Sequence, residues 1–269
     1  MYPWGQMEYL DFGQMAAQFR EVFLEGSYCF HSENPEPCII DCGGNIGMSA
    51  VWFKLAYPKC KLTVYEADPA IADILKRNIA QAKLDQVTVR NTAVWSCETS
   101  LQFDNRGNDS GRICEAGTLT VPAVDIVKEL PAEVDLLKLD IEGAEYAVLD
   151  HLCDTGAIER IQAVVAEFHV WCDRIDDALC ILTKLRAAGM DISLSSLPCP
   201  WIGSAASSAP FKVIGENQML MMVYAWRPLR HGKLTEEQRV SNSSHGLSSV
   251  SASSLRRRHL KSADGTTAG

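Results

Sequence analysis

Two acidic side chains stand where an apolar run gives way to a turn. Asp41 ends Cys38-Ile39-Ile40-Asp41 and leads into Cys42-Gly43-Gly44-Asn45-Ile46-Gly47. Glu66 ends Leu62-Thr63-Val64-Tyr65-Glu66, 25 positions after Asp41. Glycines in such a turn let the backbone bend sharply and approach a ligand. A carboxylate just before the turn would crowd the phosphates of a dinucleotide. It suits a ligand with positive charge and hydroxyls. Glu66 can accept hydrogen bonds from both hydroxyls of a ribose, as acidic residues do in nucleotide-binding strand–helix–strand units; the alternative is a plain capped strand end.

The dinucleotide fingerprint Gly-x-Gly-x-x-Gly is not met. Counted from Gly43 the second glycine is Asn45, and counted from Gly44 it is Ile46. That second glycine normally admits the pyrophosphate to the backbone. Asp41, the turn and Glu66 together fit the sulfonium, ammonium and ribose of S-adenosylmethionine.

A second group of residues could move protons. Asp140 ends an apolar run, Glu142 begins the turn after it, and His169 ends the next run. His169 is the choice for a general base on pKa grounds. The other readings are a surface-loop histidine for His169 and a helix N-terminal carboxylate for Glu142. Lys138 lies inside an apolar strand, so its charge needs a partner. Asp140 is on the same face two residues on, and Glu167 on the adjacent strand is the other choice. Such an ion pair would orient a site carboxylate. Asp140 and Glu142 also make a divalent cation possible, since hard cations take oxygen ligands. With no third clear ligand, no metal site is assigned.

Alternating strand and helix signals must position these groups. Strands are expected over 38–41, 62–66, 87–91, 134–140, 161–168, 192–194 and 218–226. Helices are expected over 48–56, 70–82 (with Pro69 at its first turn), 143–152 and 175–188, the last ending at Gly189. This order implies an α/β fold with a parallel sheet covered on both faces. Residues 95–124 and 195–217 read as long loops at the carboxyl edge of the sheet, candidates for a substrate lid. Trp201 and Phe211 are candidate lid aromatics.

Composition narrows the function classes. Hydrophobic residues make up 47% and charged residues 22%, which suits a globular chain with a core. No run approaches the roughly 18–20 apolar residues of a membrane span, and no secretory signal opens the sequence; a cytoplasmic protein is expected. The ten cysteines include no Cys-x-x-Cys pair, so they read as reduced apolar side chains rather than a disulfide frame or zinc site. Net charge is −9. Residues 231–269 carry six Lys/Arg against three acidic residues, leaving −12 for residues 1–230. An acidic body argues against a groove that tracks nucleic-acid phosphates. The Ser-rich, aromatic-poor end reads as a disordered tail. The expected organisation is an N-terminal cap segment (1–35), a catalytic domain (36–229) and a Ser/Arg-rich tail (230–269).

Three blocks carry a resemblance: Ile40-Asp41-Cys42-Gly43-Gly44-Asn45-Ile46-Gly47, Tyr65-Glu66-Ala67-Asp68-Pro69, and Asp135 to Glu145 (DLLKLDIEGAE). Together they resemble the FkbM family of methyltransferases, over roughly residues 36–170. Asn91-Thr92-Ala93-Val94 and Glu167-Phe168-His169 sit where that family has similar short signals. The resemblance implies a Rossmann-like class I methyltransferase fold, a seven-stranded mostly parallel sheet whose last strand is antiparallel. It implies S-adenosylmethionine as cofactor and O-methylation of a hydroxyl on a small molecule or glycan. Implied cofactor contacts are Asp41, Gly43, Gly44, Asn45, Gly47, Glu66, Ala67, Asp68, Asn91, Ala93 and Asp140. For catalysis it points to Asp140 and Glu142, beside the residue-level candidates His169 and Lys138. The competing expectations are an NAD-dependent oxidoreductase and a methyltransferase-like domain that binds without catalysis.

Overall fold

The structure is a computed structural model that describes residues 5–104, 112–113, 117–171, 175–196 and 218–228. In chain order, α1 (Phe12–Phe19) and a π-helical segment (Arg20–Glu25) precede β1 (Cys38–Cys42), α2 (Met48–Ala56), β2 (Lys61–Tyr65), α3 (Pro69–Gln81) and β3 (Val87–Arg90). There follow β4 (Ala93–Trp95), β5 (Thr99–Asp104), β6 (Arg112–Ile113), β7 (Leu119–Asp125), α4 (Ile126–Glu129) and β8 (Val134–Leu139). The last elements are α5 (Glu145–Asp154), β9 (Ile161–Trp171), α6 (Ile175–Ala187), β10 (Asp191–Ser196) and β11 (Gln218–Trp226).

Seven strands form one sheet in the order β10-β11-β9-β8-β1-β2-β3. β11 runs antiparallel to both its neighbours, and the other pairings are parallel. Strand direction of growth reverses between β1 and β8. Open α/β sheets bind ligands outside the carboxyl ends of the strands at such a switch point.

Side chains alternate across the sheet, and two cores result. Ile40, Leu137 and Val164 face α5 and α6. Ile39, Leu136 and Val165 face α2, α3 and the N-terminal segment. Each fully buried Ile or Leu contributes roughly 1.5–3 kcal/mol. α3 shows how local sequence sets an element. Asp68 accepts from the Ala70 and Ile71 amides as N-cap, Pro69 fills the first turn, and Ile71, Ile74, Leu75 and Ile79 form the buried stripe.

The N-terminal segment is pinned beside the Gly-rich turn through Asn78. Its side chain accepts from the Glu8 amide at 2.7 Å and donates to Glu8 O at 2.9 Å and Ile46 O at 2.8 Å. Phe23 packs edge-on to Trp52, and Tyr28 is buried.

Two expectations are corrected. Residues 95–124 are not one loop: β5 and β7 pair antiparallel within a second, four-stranded sheet of order β4-β7-β5-β6. The alternation of Leu119, Val121 and Ala123 builds it, with Val121 and Ala123 buried. The strand expected over 161–168 extends to Trp171, which places His169 inside it. Of the long connection 195–217, nearly all, with Trp201 and Phe211, lies outside the described residues. Among the described residues no helix is long and apolar enough to cross a membrane.

Candidate active site

The turn after β1 and the turn after β8 meet at the switch point. Gly43 has φ +85°, and a Cβ there would sit 1.7 Å from the Asp140 carbonyl oxygen. A Cβ on Gly44 would sit 2.1 Å from Val64 Cγ1. These glycines are therefore required by the close approach of protein atoms, before any ligand is considered. Gly47 (φ +100°) caps α2 and packs toward Leu75.

One cavity opens on this junction. Its polar wall is Glu66, Asp68, Asp140 and Glu142, and its apolar wall includes Ile71, Val94 and Phe103. Gly43, Asn45, Ala67 and Ala93 also line it. Among the described residues no Lys or Arg does. Glu66 is 9% exposed. Its Oε2 accepts from the Asn45 amide at 2.8 Å and its Oε1 from the Asp68 amide at 2.9 Å. Each oxygen keeps a lone pair for a further donor. Burial pushes the Glu66 carboxyl up to about 7 against those two amides. Asn91 lies outside the cavity wall and donates to Glu66 O and Ala67 O, which fixes the backbone that carries them.

Asp41 lines neither this cavity nor its neighbour. It is fully buried. The register of β1 and β8 sets it directly opposite Lys138, and its Oδ1 lies 3.0 Å from Lys138 Nζ. Ser49 Oγ donates to Asp41 Oδ2 at 2.6 Å. Lys138 Nζ also donates to Gly43 O at 2.8 Å, and Asp140 Oδ2 is farther, at 3.8 Å. The main partner of Lys138 is thus Asp41, not Asp140 or Glu167, and the Asp41 charge is answered inside the protein rather than by a ligand. Burial disfavours the Lys138 charge, but Asp41 and Asp140 outweigh it and hold the pKa above the ordinary lysine value. The ammonium ties the Gly-rich turn to β8.

His169 is likewise paired with protein groups. It is 7% exposed and lies in β9. Its Nε2 is 3.2 Å from Glu142 Oε2 and its Nδ1 is 3.5 Å from Glu145 Oε1. Burial alone would lower its pKa, but the bonds to Glu142 and Glu145 raise it to about 11. His169 holds Glu142, whose backbone is left-handed at φ +56°. Strain of this kind persists only where surrounding contacts fix it. Buried Glu145 supplies more of that fixing by accepting from the Ile141 and Gly143 amides, both at 2.9 Å.

A second cavity shares Gly43, Asn45, Asp140 and Glu142 with the first and adds Glu21, Tyr28, Lys138 and Glu167. Gly44 is on its wall. Tyr28 OH donates to Asp140 Oδ2 at 3.4 Å, and Lys138 Nζ lies 5.1 Å from the Tyr28 ring centre. Burial, with Asp140 and Glu21 nearby, raises the Glu167 pKa. Glu21 and Tyr28 have no sequence signal: they precede the first motif and belong to no recognisable spacing. Phe103 is hidden by the strand that sequence reads as loop. Among the described residues no group of three His, Cys, Asp or Glu is placed to hold a metal.

A seven-stranded, mostly parallel sheet with one reversed strand, and at its switch point an acidic slot that no described Lys or Arg lines, is the arrangement of a Rossmann-like methyltransferase fold. The chain belongs to the FkbM methyltransferase family: the model of the methyltransferase FkbM domain matches residues 41–190. It is 26% identical over 204 residues to Methyltransferase sdnD of Sordaria araneosa, covering 60% of this chain and 78% of that protein. It is equally similar, at 26% over 204 residues, to Methyltransferase 1 of Beauveria bassiana (strain ARSEF 2860), covering 65% and 80%. Among solved structures, a methyltransferase FkbM from Methylobacillus flagellatus KT superposes with a TM-score of 0.51 at 13% identity, covering 77% of this chain and 47% of that one. That likeness concerns the fold alone.

Proposed function

We propose that this methyltransferase uses S-adenosylmethionine to methylate a hydroxyl of a small molecule or glycan. The observation that carries the cofactor reading is the first cavity. The buried Glu66 carboxylate has lone pairs for ribose hydroxyls, and Ile71, Val94 and Phe103 offer an apolar slot for a flat base. A pyrophosphate would instead face Glu66, Asp140 and Glu142 with no described Lys or Arg on the wall, which disfavours a nicotinamide dinucleotide.

S-Adenosylmethionine supplies a methyl group activated on a sulfonium. The residues then have three tasks. Glu66, Ala67 and Ala93 hold the nucleoside, with Asp68 and Asn91 fixing the loops around it. Lys138 and Asp41 hold the Gly-rich turn against β8. Asp140 and Glu142, on the walls of both cavities, are the carboxylates placed to take the acceptor's hydroxyl proton, worth about 10²–10⁴-fold when well positioned. Alignment of acceptor and methyl donor contributes up to roughly 7–11 kcal/mol in favourable cases.

The test is incubation of the protein with methyl-labelled S-adenosylmethionine and fractionated metabolite extract, read by mass spectrometry. Label on the oxygen of a hydroxylated compound is the expected result. Label only on nitrogen or carbon would refute the O-methylation reading.

A further inference from the structure

His169 lines neither cavity, yet its partner Glu142 lines both. Its buried ring lies against the turn that joins β8 to α5. Three ties join the residue to that turn and to the start of α5. Nε2 lies 3.2 Å from Glu142 Oε2, Nδ1 lies 3.5 Å from Glu145 Oε1, and Tyr146 OH donates to the His169 carbonyl at 3.2 Å. Glu145 passes the constraint on, since its two oxygens hold the Ile141 and Gly143 amides on either side of Glu142.

The constraint has something to work against. Glu142 and Gly143 are successive left-handed residues, at φ +56° and +99°. Glycine adopts that backbone freely and glutamate does so rarely. The Glu142 side chain is 35% exposed, against 8% for His169. A long side chain on a wall of that kind keeps several rotamers unless a partner selects one. Glu167 Oε1 is farther from Nε2, at 3.9 Å, so Glu142 is the nearer partner of that nitrogen. We propose that His169 is a positioning residue for methyl transfer: from outside both cavities it holds the Glu142 carboxylate at the wall they share. This rests on the reading given above that Glu142 serves the acceptor hydroxyl. His169 itself touches no reacting atom; it acts through the carboxylate it orients.

Two substitutions in the full chain separate the ring nitrogens. The amide nitrogen of His169→Gln reaches the place of Nε2 and keeps a donor for Glu142. That of His169→Asn reaches the place of Nδ1 and keeps a donor for Glu145 only. Calorimetry with S-adenosylhomocysteine shows that each variant is folded. The rate of label transfer from methyl-labelled S-adenosylmethionine to hydroxylated compounds of the metabolite extract is then compared. His169→Asn should slow transfer by roughly 10²-fold, the cost of misplacing a reacting group by about 1 Å, and His169→Gln should recover most of the loss. In a Glu142→Gln background His169→Asn should slow transfer no further, because residues that act as a unit are not additive. Without cofactor, the backbone amide NMR signals of Glu142 and Gly143 should move in His169→Asn and stay in His169→Gln. Equal rates in the two variants, or an undiminished His169→Asn effect in the Glu142→Gln background, overturn the proposal and leave the proposed function standing. Two equally slow variants would suit a histidine that carries the proton itself, and an undiminished effect would suit a structural role. Loss of S-adenosylhomocysteine binding in either variant assigns His169 to the fold and overturns the proposal too. An unsubstituted protein that transfers no label to oxygen overturns the proposed function and the proposal together.

Discussion

Replacing Lys138 with Met removes the cation that holds the two turns together while nearly preserving side-chain length. Lys138 is 1% exposed and its partner Asp41 is 0% exposed. After the change, the Asp41 carboxylate keeps the Ser49 hydroxyl as donor but has lost the ammonium at 3.0 Å. Breaking a buried pair by removing one partner costs about 3–5 kcal/mol, and the lost bond to Gly43 O adds about 1 kcal/mol. Against a total stability of about 5–15 kcal/mol, that is about a quarter of it or more. At roughly 2–4 °C per kcal/mol for a domain of this size, the melting temperature should fall by about 8–24 °C. Equilibrium unfolding in urea of Lys138→Met, Asp41→Asn and the double variant is the assay. The double variant should be more stable than the summed single losses imply, because it leaves no uncompensated charge. Since the folded pKa of Lys138 is raised, its contribution is complete below the ordinary lysine value and fades only as pH climbs through the higher one. The loss should therefore be constant across neutral pH. A Lys138→Met protein within about 0.5 kcal/mol of the original, the range of ordinary surface substitutions, would refute the reasoning.

Two further outcomes follow from shifted groups. His169 has its folded pKa raised to about 11, so its stabilising charge is fully present below about 6.5 and is lost as pH rises toward 11; its imidazole NMR signals should stay in the protonated position from pH 5 to pH 9, and a midpoint near the ordinary histidine value would show that the ion pairs with Glu142 and Glu145 do not form. Glu66 is raised to about 7, so ionising it destabilises the free protein as pH climbs from about 4.5 through 7, while the ionised form is the better acceptor for ribose hydroxyls. Affinity for S-adenosylhomocysteine should therefore increase from pH 6 to pH 8 in a Glu66-dependent way, and Glu66→Gln should remove that Glu66-dependent part of the rise.

The sheet was legible because its strands are short apolar runs bounded by turn chemistry, as at Ile39-Ile40 and Leu136-Leu137. The demand of Lys138 for a partner was legible too, since a lone cation stood in such a run. The identity of the partner was not. It depends on β1 and β8 being neighbours in a register that faces Asp41 with Lys138, a fact of topology with no local signature. The same gap misassigned Asp41 as a ligand-facing charge. His169 looked like a strand end because Glu167 and His169 are polar at alternate positions; they lie on the face that becomes polar only at the carboxyl edge. The second sheet was hidden by Pro122 and by the Gly- and Asn-rich stretch that precedes Leu119, which obscure the alternation of Leu119, Val121 and Ala123. Glu21 could not be found at all, because only folding brings the N-terminal segment over the turn.

On the proposed function, the acidic slot at the β1–β8 switch point, lined by no described Lys or Arg, accepts an adenosyl amino acid and rejects a phosphate-bridged dinucleotide. Isothermal titration of the full chain with S-adenosylhomocysteine and, separately, with NAD tests it most directly. Saturable heat at one site for S-adenosylhomocysteine and none for NAD is the predicted result. Saturable binding of NAD with no response to S-adenosylhomocysteine would contradict it.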